Sequence, residues 1–271
     1  MAAPPIMQGD FPVMRIGIAG IQGRVGRLLV EEVRSAGAML AGGTARAGTA
    51  NETSGNAPVL FGSLDALAVQ ADVVIDFTHP DATLAHAESL ARSGAGWVLG
   101  TTGLSGQAQQ AVEQAARHIA IVQAANFSPG VTLVLGLAAR MAAALPAADY
   151  DAEILEMHHR QKIDAPSGTA LAIGEAVARG RGNEPAIHER GRHGQTGARR
   201  PGAIGFAALR GGQIVGEHTL LFTAGSEQIT LTHRAFDRRV FATGAVRAAL
   251  WLEGRPAGLY NMEDVLGLRQ Q

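Results

Sequence analysis

Short apolar runs alternate with amphipathic stretches through the first half of the chain. The runs are rich in Val, Ile and Leu, and the stretches between them repeat apolar residues every three or four positions, which predicts strands joined by helices. The predicted strands are Met14–Ala19, Ala38–Gly43, Val73–Thr78, Gly96–Gly100 and Ile119–Gln123. The predicted helices are Val25–Ala36, Leu64–Gln70, Thr83–Ser93 and Gln107–Arg117. This alternation predicts a Rossmann-like, doubly wound parallel sheet.

The pattern changes near residue 130, where strands begin to outnumber helices. Helices are predicted at Val131–Leu145 and Ala170–Arg179, and strands at Asp151–His159, Ile204–Arg210, Ile214–Thr223 and Gln228–His233. Such a pattern predicts a second α+β domain with an open mixed sheet. Helical spacing returns at Phe241–Leu252. We therefore predict a dinucleotide-binding domain at 13–128, with 237–271 packing back onto it, and a substrate-binding domain at 129–236.

Composition narrows the possible functions. The 271 residues carry a net charge of −1, which argues against a nucleic acid or a membrane surface as the main partner. The absence of Cys excludes disulfides, thiolate nucleophiles and cysteine-based metal sites, and it fits a cytoplasmic protein. No run of about 18 apolar residues and no export signal are present, so we expect an unexported protein without a membrane partner.

A glycine-rich turn follows the first predicted strand and precedes a predicted helix. Its sequence fits the pattern G-x-x-G-x-x-G, in which glycines let the backbone approach a pyrophosphate at the amino end of a helix. A glycine-rich turn without a ligand is the alternative. The predicted cofactor-binding residues in this turn are Gly20, Ile21, Gln22, Gly23, Arg24 and Val25.

The end of the second strand bears on the choice of dinucleotide. An acid there would bind the ribose 2′-hydroxyl of NAD, whereas an Arg accommodates the 2′-phosphate of NADP. The chain has Ala45 and Arg46 and no acid before Glu52. We therefore predict NADPH as the cofactor, with NADH possible, while Arg46 as a solvated loop cation stays open.

Two more loops follow predicted strands at the carboxyl edge of the sheet, where ligands bind in this fold. Hydroxyls and backbone amides there suit the nicotinamide end of the cofactor, and the ring of Phe127 is predicted to lie against nicotinamide. Ordinary turns are the alternative. The predicted residues are Gly100, Thr101, Thr102, Ala124, Ala125, Asn126 and Phe127.

The most polar stretch of the second half runs from Glu156 to Thr169, in the sequence EMHHRQKIDAPSGT. It joins a predicted strand to a predicted helix, a location where catalytic groups are common. Two imidazoles, two fixed cations and a Ser-Gly-Thr turn predict a pocket for a small dianion. A metal site built from Glu156, His158 and His159 is the weaker alternative, and no metal is predicted.

Several motifs, in this order, resemble the dihydrodipicolinate reductase family. They are Asp76–Pro80, Gly100–Gly103, Ala124–Ser128 and above all His158–Thr169, followed by Pro201–Phe206, Val215–Thr219 and Asn261–Leu266. The resemblance runs from about Met14 to the end of the chain.

The resemblance implies an NAD(P)H-dependent reductase of the diaminopimelate and lysine pathway. Such a reductase would act on a cyclic imine dicarboxylate, 4-hydroxy-tetrahydrodipicolinate. It would assemble as a cytoplasmic homotetramer, with residues 129–236 as the substrate-binding and oligomerisation domain. His158 would be the proton donor and acceptor, and Lys162 a second proton donor. His159, Gly168 and Thr169 would bind substrate carboxylates.

Physical chemistry agrees with these roles. An imidazole supplies protons near neutral pH, so His158 is a reasonable general acid. Ser167 is a plausible N-cap that aims the N–H groups of Gly168 and Thr169 at a carboxylate, and Arg160 adds positive charge. Two alternatives stay open: a dehydrogenase of the same plan acting on another amino or imino acid, and a non-catalytic nucleotide-sensing module.

Overall fold

The computed structural model describes residues 13–45, 57–182 and 187–268. These residues form two compact units. The first contains the described residues up to Gln123 together with Ala245–Tyr260, and the second contains Ala124–Gly244 and the residues from Asn261 onward. The domain bounds predicted from the sequence, 13–128 and 129–236, stay a prediction.

The described residues form twelve strands and eight α-helices, together with one 3-10 turn at Pro80–Ala82. The strands are β1 (Arg15–Ala19), β2 (Met39–Thr44), β3 (Leu60–Phe61), β4 (Val73–Asp76), β5 (Gly96–Leu99), β6 (Ala120–Gln123), β7 (Asp151–His158), β8 (His188–Glu189), β9 (Ile204–Arg210), β10 (Gly216–Thr223), β11 (Gln228–Ala235) and β12 (Gly258–Tyr260). The helices are α1 (Arg24–Ser35), α2 (Leu64–Ala68), α3 (Thr83–Ser93), α4 (Gly106–Ala115), α5 (Pro129–Ala144), α6 (Gly168–Arg181), α7 (Arg239–Trp251) and α8 (Met262–Val265).

The first unit is built on a parallel sheet of seven strands in the order β12-β6-β5-β4-β1-β2-β3. Its central strands are buried on both faces, which explains their nearly continuous apolar sequences. Ser63 and Ser105 cap α2 and α4 by accepting a backbone hydrogen bond, and Gly94 ends α3 in the left-handed conformation. The predicted Rossmann-like, doubly wound sheet is confirmed.

Sequence patterning missed the shortest elements. The edge strands β3, β8 and β12 have two or three residues, which is too short to show a two-residue period. The four-residue helix α8 was also missed, although Asn261 and Asp264 form a complete capping box at its start.

The second unit contains a mixed sheet of five strands in the order β11-β10-β7-β9-β8. β10 runs antiparallel to both β7 and β11, whereas β7, β8 and β9 are parallel. Helices α5 and α6 pack on one face, where Ile154, Ile173, Leu220 and Phe222 form the core. The predicted open mixed sheet with helical cover is therefore confirmed.

The composition of the basic segment His188–Gly202, rich in Arg, Gly and His, predicts a mobile surface loop, but the structure holds this segment against the sheet. It begins as the edge strand β8, and two of its arginines are held by carboxylates of β7: Arg199 Nη1 lies 2.6 Å from Asp151 Oδ1, and Arg192 Nη2 lies 3.0 Å from Glu153 Oε1. These ion pairs fix the segment to the second sheet.

Candidate active site

The covered face of the second sheet carries a buried acid and a buried imidazole at the end of β7. Burial alternates along this strand, so that Ala152, Ile154, Glu156 and His158 all point toward the helices. Glu156 is 1% exposed and His158 is 8% exposed. Because buried charges require partners, the contacts of Glu156 define the site.

Four donors surround the carboxylate of Glu156. Arg210 forms a bidentate pair with it, at 2.7 Å from Nη2 to Oε1 and 2.8 Å from Nη1 to Oε2. His158 Nδ1 lies 2.5 Å from Oε2, and the backbone N–H of Ser167 donates to Oε1 at 3.1 Å. Burial would raise the pKa of Glu156, but the bonds from Arg210 and His158 outweigh burial and hold this pKa below its ordinary value, so Glu156 is ionised at neutral pH.

His158 is poised between opposing influences. Burial lowers the pKa of its imidazole, the hydrogen bond and charge of Glu156 raise it, and the charges of Lys162 and Arg210 lower it again, with a net downward shift. An ionised carboxylate only accepts hydrogen bonds, so Nδ1 of His158 carries a proton and Nε2 is the nitrogen that titrates. A Cβ atom on Gly216 would lie 3.1 Å from this Nε2, so a glycine leaves space beside it.

The amino end of α6 lies beside this pair. Ser167 is the N-cap, and its hydroxyl accepts a hydrogen bond from Ala170 N at 3.2 Å. The next backbone N–H groups, of Gly168 and Thr169, belong to the first turn of a helix and have no acceptor within it. Asn126 Nδ2 donates to Thr169 Oγ1 at 3.3 Å, so the structure brings together one residue predicted to bind cofactor and one predicted to bind substrate.

A second buried imidazole, His218 on β10, completes the cluster. Its Nε2 lies 3.0 Å from Ser167 Oγ, and its ring packs edge-on to that of His158 with centroids 5.1 Å apart. Burial and the nearby charge of His158 lower the pKa of His218 to about 4. His218 is therefore neutral at physiological pH and adds no charge next to His158.

The loop after β7 places the remaining predicted residues. Lys162 Nζ is bound by Asp164, at 2.7 and 2.8 Å from its two carboxylate oxygens. Arg160 is exposed, and its backbone N–H donates to the carbonyl of Gly212 at 3.3 Å. Nδ1 of His159 is buried and has no hydrogen-bond partner in the described part of the chain.

The glycine-rich turn of the first unit has the geometry that a dinucleotide requires. Gly20 has φ of 76°, and a Cβ atom on Gly26 would lie only 2.3 Å from the carbonyl oxygen of Gly20. The backbone can therefore pass close to the start of α1, whose first residue is Arg24 and whose N-cap is Gly23. Ile21 is buried and its N–H donates to the carbonyl of Thr44, which anchors the turn to β2.

Two of the other predicted cofactor residues, Thr101 and Phe127, are buried. Thr101 follows β5 at the carboxyl edge of the sheet, and its buried hydroxyl has no hydrogen-bond partner among the described residues. Phe127 is 1% exposed, so its ring packs in the interior of this structure, and its place against nicotinamide stays a prediction. Arg46 lies outside the described residues.

A metal site receives no support in the part of the chain that the structure describes. No group of three or more His, Asp or Glu side chains is arranged there to bind an ion. The two residues of the suggested set that approach one another, Glu156 and His158, are hydrogen-bonded to each other.

Sequence reasoning missed three residues of this cluster, namely Arg210 and His218 entirely and Glu156 except as a possible metal ligand. Arg210 aligns with His158 across the β7–β9 pair, and His218 aligns with Glu156 across the β7–β10 pair. They are 54 and 51 residues from their contacts, Glu156 and Ser167. A signal existed in the two-residue spacing of Glu156 and His158, which places both on one face of a strand.

Comparisons with known proteins cover both units. Residues 14–127 match the family model described as dihydrodipicolinate reductase, N-terminus, and residues 130–266 match the model of its C-terminus. The chain belongs to the dihydrodipicolinate reductase family. The resemblance seen in the sequence motifs is thereby confirmed.

Curated relatives extend over nearly the whole chain. A 4-hydroxy-tetrahydrodipicolinate reductase of Gluconacetobacter diazotrophicus is 66% identical over 256 residues, covering 94% of this chain and 98% of the relative. A protein of the same name from Acidiphilium cryptum is 60% identical over 256 residues, with the same coverage. Dehydrogenases of another substrate class and non-catalytic modules are accordingly not favoured.

Solved structures agree on the fold. Dipicolinate-bound dihydrodipicolinate reductase from Paenisporosarcina sp. TG-14 superposes with a TM-score of 0.75 at 28% identity, covering 92% of this chain and 97% of that one. GenD2 from gentamicin A biosynthesis, in complex with NAD, has a TM-score of 0.59 at 15% identity and shares the fold, covering 98% of this chain and 94% of its own. The family and the Rossmann-type sheet together indicate an oxidoreductase with a nicotinamide cofactor. None of the described helices is long and apolar enough to span a membrane.

Proposed function

We propose that this chain reduces 4-hydroxy-tetrahydrodipicolinate to tetrahydrodipicolinate, with loss of water, in the biosynthesis of diaminopimelate and lysine. The observation that carries the proposal is the cluster at the end of β7, where an imidazole lies beside the amino end of a helix. The imidazole can supply a proton, and the amino end of the helix can bind a carboxylate. Both lie in the segment most specific to the dihydrodipicolinate reductase family, whose models match both units.

His158 is the proton donor in this proposal. Reduction of a conjugated imine leaves an enamine-like anion that must be protonated on carbon or nitrogen. With Nδ1 bound to Glu156, protonated His158 presents its second proton on Nε2, beside Gly216. Lys162, held by Asp164 in the loop that follows, is proposed as the second proton donor.

The two substrate carboxylates are proposed to bind at the amino end of α6 and on the loop before it. The N–H groups of Gly168 and Thr169 and the hydroxyls of Ser167 and Thr169 supply hydrogen bonds and the positive end of the helix dipole. His159 and Arg160 are proposed to contact the second carboxylate, because His159 has a ring nitrogen without a hydrogen-bond partner among the described residues and Arg160 has a fixed positive charge.

NADPH is the proposed cofactor, with NADH as the less favoured form. When bound, it supplies the hydride. Close backbone approach at Gly20 and Gly26 and the unpartnered hydroxyl of Thr101 are observations that fit such a ligand. The residues proposed to hold it are Gly20–Val25, Arg46, Gly100–Thr102 and Ala124–Phe127.

Preference for the 2′-phosphate is proposed to come from Arg46. A charge-assisted hydrogen bond contributes about 1.5–3 kcal/mol, which corresponds to roughly 10- to 150-fold in kcat/KM for NADPH over NADH. Arg46→Ala should remove most of this preference by weakening NADPH alone. Ratios of kcat/KM for the two cofactors at fixed ionic strength measure it, and a native enzyme that favours NADH would contradict the proposal.

We also propose a cytoplasmic homotetramer that assembles through the second unit. The face of its sheet opposite α5 and α6 carries Leu155, Met157, Leu209 and Leu221, and Leu209 is 51% exposed. An open sheet face with apolar side chains favours burial against another copy. The absence of Cys fits a reducing compartment. Sedimentation equilibrium would test the assembly.

The reaction is tested by oxidation of NADPH with freshly generated product of dihydrodipicolinate synthase. Pyridine-2,6-dicarboxylate, a planar dianion that cannot accept hydride, should inhibit competitively with the substrate. Thr169→Val should weaken this inhibition, because it removes a hydroxyl and keeps the side-chain shape. No turnover of that product would exclude the proposed reaction, and inhibition competitive with NADPH would misplace the carboxylate site.

A further inference from the structure

Glu156 occupies a position that the reaction itself does not explain. Each of its two oxygens accepts two hydrogen bonds: Oε1 from Ser167 N and Arg210 Nη2, and Oε2 from His158 Nδ1 and Arg210 Nη1. A carboxylate has about four acceptor sites in total. All of them are filled within the chain, so Glu156 has no capacity left for a ligand.

We infer that Glu156 is a positioning residue that holds the proton donor His158 and the carboxylate-binding end of α6 in one fixed arrangement, with Arg210 as its counter-charge. The inference rests on the proposed function in one respect: the roles of His158 as proton donor and of the start of α6 as carboxylate site come from that proposal. The contacts themselves do not depend on the proposed function, because the buried carboxylate of Glu156 binds both the imidazole of His158 and the N-cap residue Ser167.

The contact with His158 selects one tautomer. The ionised carboxylate requires a proton on Nδ1, which leaves Nε2 as the nitrogen that gains and loses a proton. In the absence of Glu156, neutral imidazole could place its proton on either nitrogen. The groups that face His158 are Glu156 on its own strand, Arg210 on β9, His218 on β10, and Lys162 in the loop. Glu156 is the only anion among these four.

Arg210 extends the arrangement to the loop. Besides the two bonds to Glu156, its Nη2 donates to the carbonyl oxygen of Asp164 at 2.6 Å, two residues after Lys162. The backbone N–H of Gly211 donates to the carbonyl of His158 at 2.9 Å. The end of β9 therefore ties the strand, the loop and the buried carboxylate together.

The experiment is a histidine titration of the ligand-free protein by ¹⁵N NMR, in which the signals of His158 are assigned with the variant His158→Gln. We expect the native protein to show neutral His158 with its proton on Nδ1. In Glu156→Gln, the amide can accept from Nδ1 or bind Arg210 and Ser167, but it cannot make all four contacts. We expect a mixture of tautomers and a pKa of His158 lower by about one pH unit, because an anion that favoured the charged form is gone.

Glu153→Gln is the matched control for the titration. Glu153 lies on the same strand and is also paired with arginines, but it points to the opposite face and does not contact His158. This variant should leave the tautomer and the pKa of His158 unchanged. A double variant, Glu156→Gln with Arg210→Gln, removes both charges of the ion pair together, so the tautomer can still be read if Glu156→Gln alone does not fold.

Turnover separates this inference from the proposed function. If Glu156 positions both groups, Glu156→Gln should lower kcat through His158 and raise the KM for substrate through Ser167, by about 10-fold or more each. An unchanged tautomer and pKa of His158 in both Glu156 variants would overturn the inference, whatever the activity. Failure of the native protein to oxidise NADPH with the substrate would overturn the proposed function and leave the titration result intact.

Discussion

Two glutamates three residues apart on β7 bind arginines in different surroundings. Glu153 points to the face of the sheet without helices, its side chain is 32% exposed, and it accepts from Arg192 and Arg199. Glu156 points to the helix-covered face, where its side chain is 1% exposed and Arg210 is its arginine partner. Both carboxyls have lowered pKa values, because in each case the arginine bonds outweigh burial.

The difference between them lies in what else each carboxylate contacts. Glu153 links the basic segment after β8 to the sheet, and its hydrogen-bonding partners are those arginines. Glu156 also binds a titratable imidazole and the start of a helix. The same ion-pair chemistry therefore supports a surface connection on one face and a chemically active arrangement on the other. Water screens the ion pairs of Glu153. Removing one partner of the buried Glu156–Arg210 pair should lower the free energy of unfolding by several kcal/mol.

The largest expected effect concerns the imidazole on the covered face. His158→Gln should lower kcat by roughly 10²–10³-fold, because general acid catalysis typically contributes about that factor. The Gln amide can still donate to Glu156, so the fold and the affinity for NADPH should be retained. Steady-state kinetics with saturating NADPH, together with a thermal unfolding curve, measure both. A kcat near that of the native enzyme would remove His158 from the mechanism and weaken the distinction between the two faces.

A smaller effect is expected from His218, which is buried on the same face. Its folded pKa is about 4, against about 6.5 in the unfolded chain, so the unfolded state binds more protons between these two values. Stability should therefore fall as pH is lowered through this window, by about 1.5 kcal/mol from this one group between pH 6.5 and 5.

His218→Gln tests this contribution. The variant lacks the titrating group, so its free energy of unfolding should depend less steeply on pH, although its stability at pH 7 also changes through Ser167. Urea unfolding at pH 6.5 and pH 5 gives the two slopes. Burial also lowers the pKa values of His158 and His233, which titrate in both proteins, so the slopes must be compared between them. Equal slopes would show that His218 is more solvated than its 4% exposure indicates.

Strand β7 and the loop after it show how much of the site could be predicted from the sequence. Alternation along residues 151–158 and the polar residues after it predicted the strand, the loop and the helix that follows, because those signals are local. Arg210 and His218 could not be placed, because their contacts depend on the order β10-β7-β9 and on strand register. The order of strands in this sheet is a property of the whole domain. The spacing of residues along one strand therefore could not predict it.

In the first unit, a local pattern was sufficient to predict the glycine-rich turn. The glycine-rich turn was predicted from a short pattern, since a close backbone approach demands glycine at particular positions, and Gly20 and Gly26 have the required geometry. The Phe127 ring, which is 1% exposed, shows the limit of such patterns, because an aromatic residue after a strand serves a buried core as readily as a ligand. Burial of this ring depends on tertiary packing that no local motif records.

The smallest expected effect belongs to the partly exposed carboxylate. Glu153→Gln should lower the free energy of unfolding by about 0.5–1 kcal/mol at low salt, as exposed ion pairs do. This loss should shrink in 1 M NaCl, where the screening length falls to about 3 Å, whereas the larger loss in Glu156→Gln should persist because that pair is shielded from solvent ions. Urea unfolding of both variants at 50 mM and 1 M NaCl, each compared with the native protein at the same salt, gives the four differences. A salt-insensitive loss above about 3 kcal/mol in Glu153→Gln would mean that Glu153 itself lies inside the proposed contact between subunits and is shielded from water there. The two glutamates would then differ in their partners and no longer in their exposure to water.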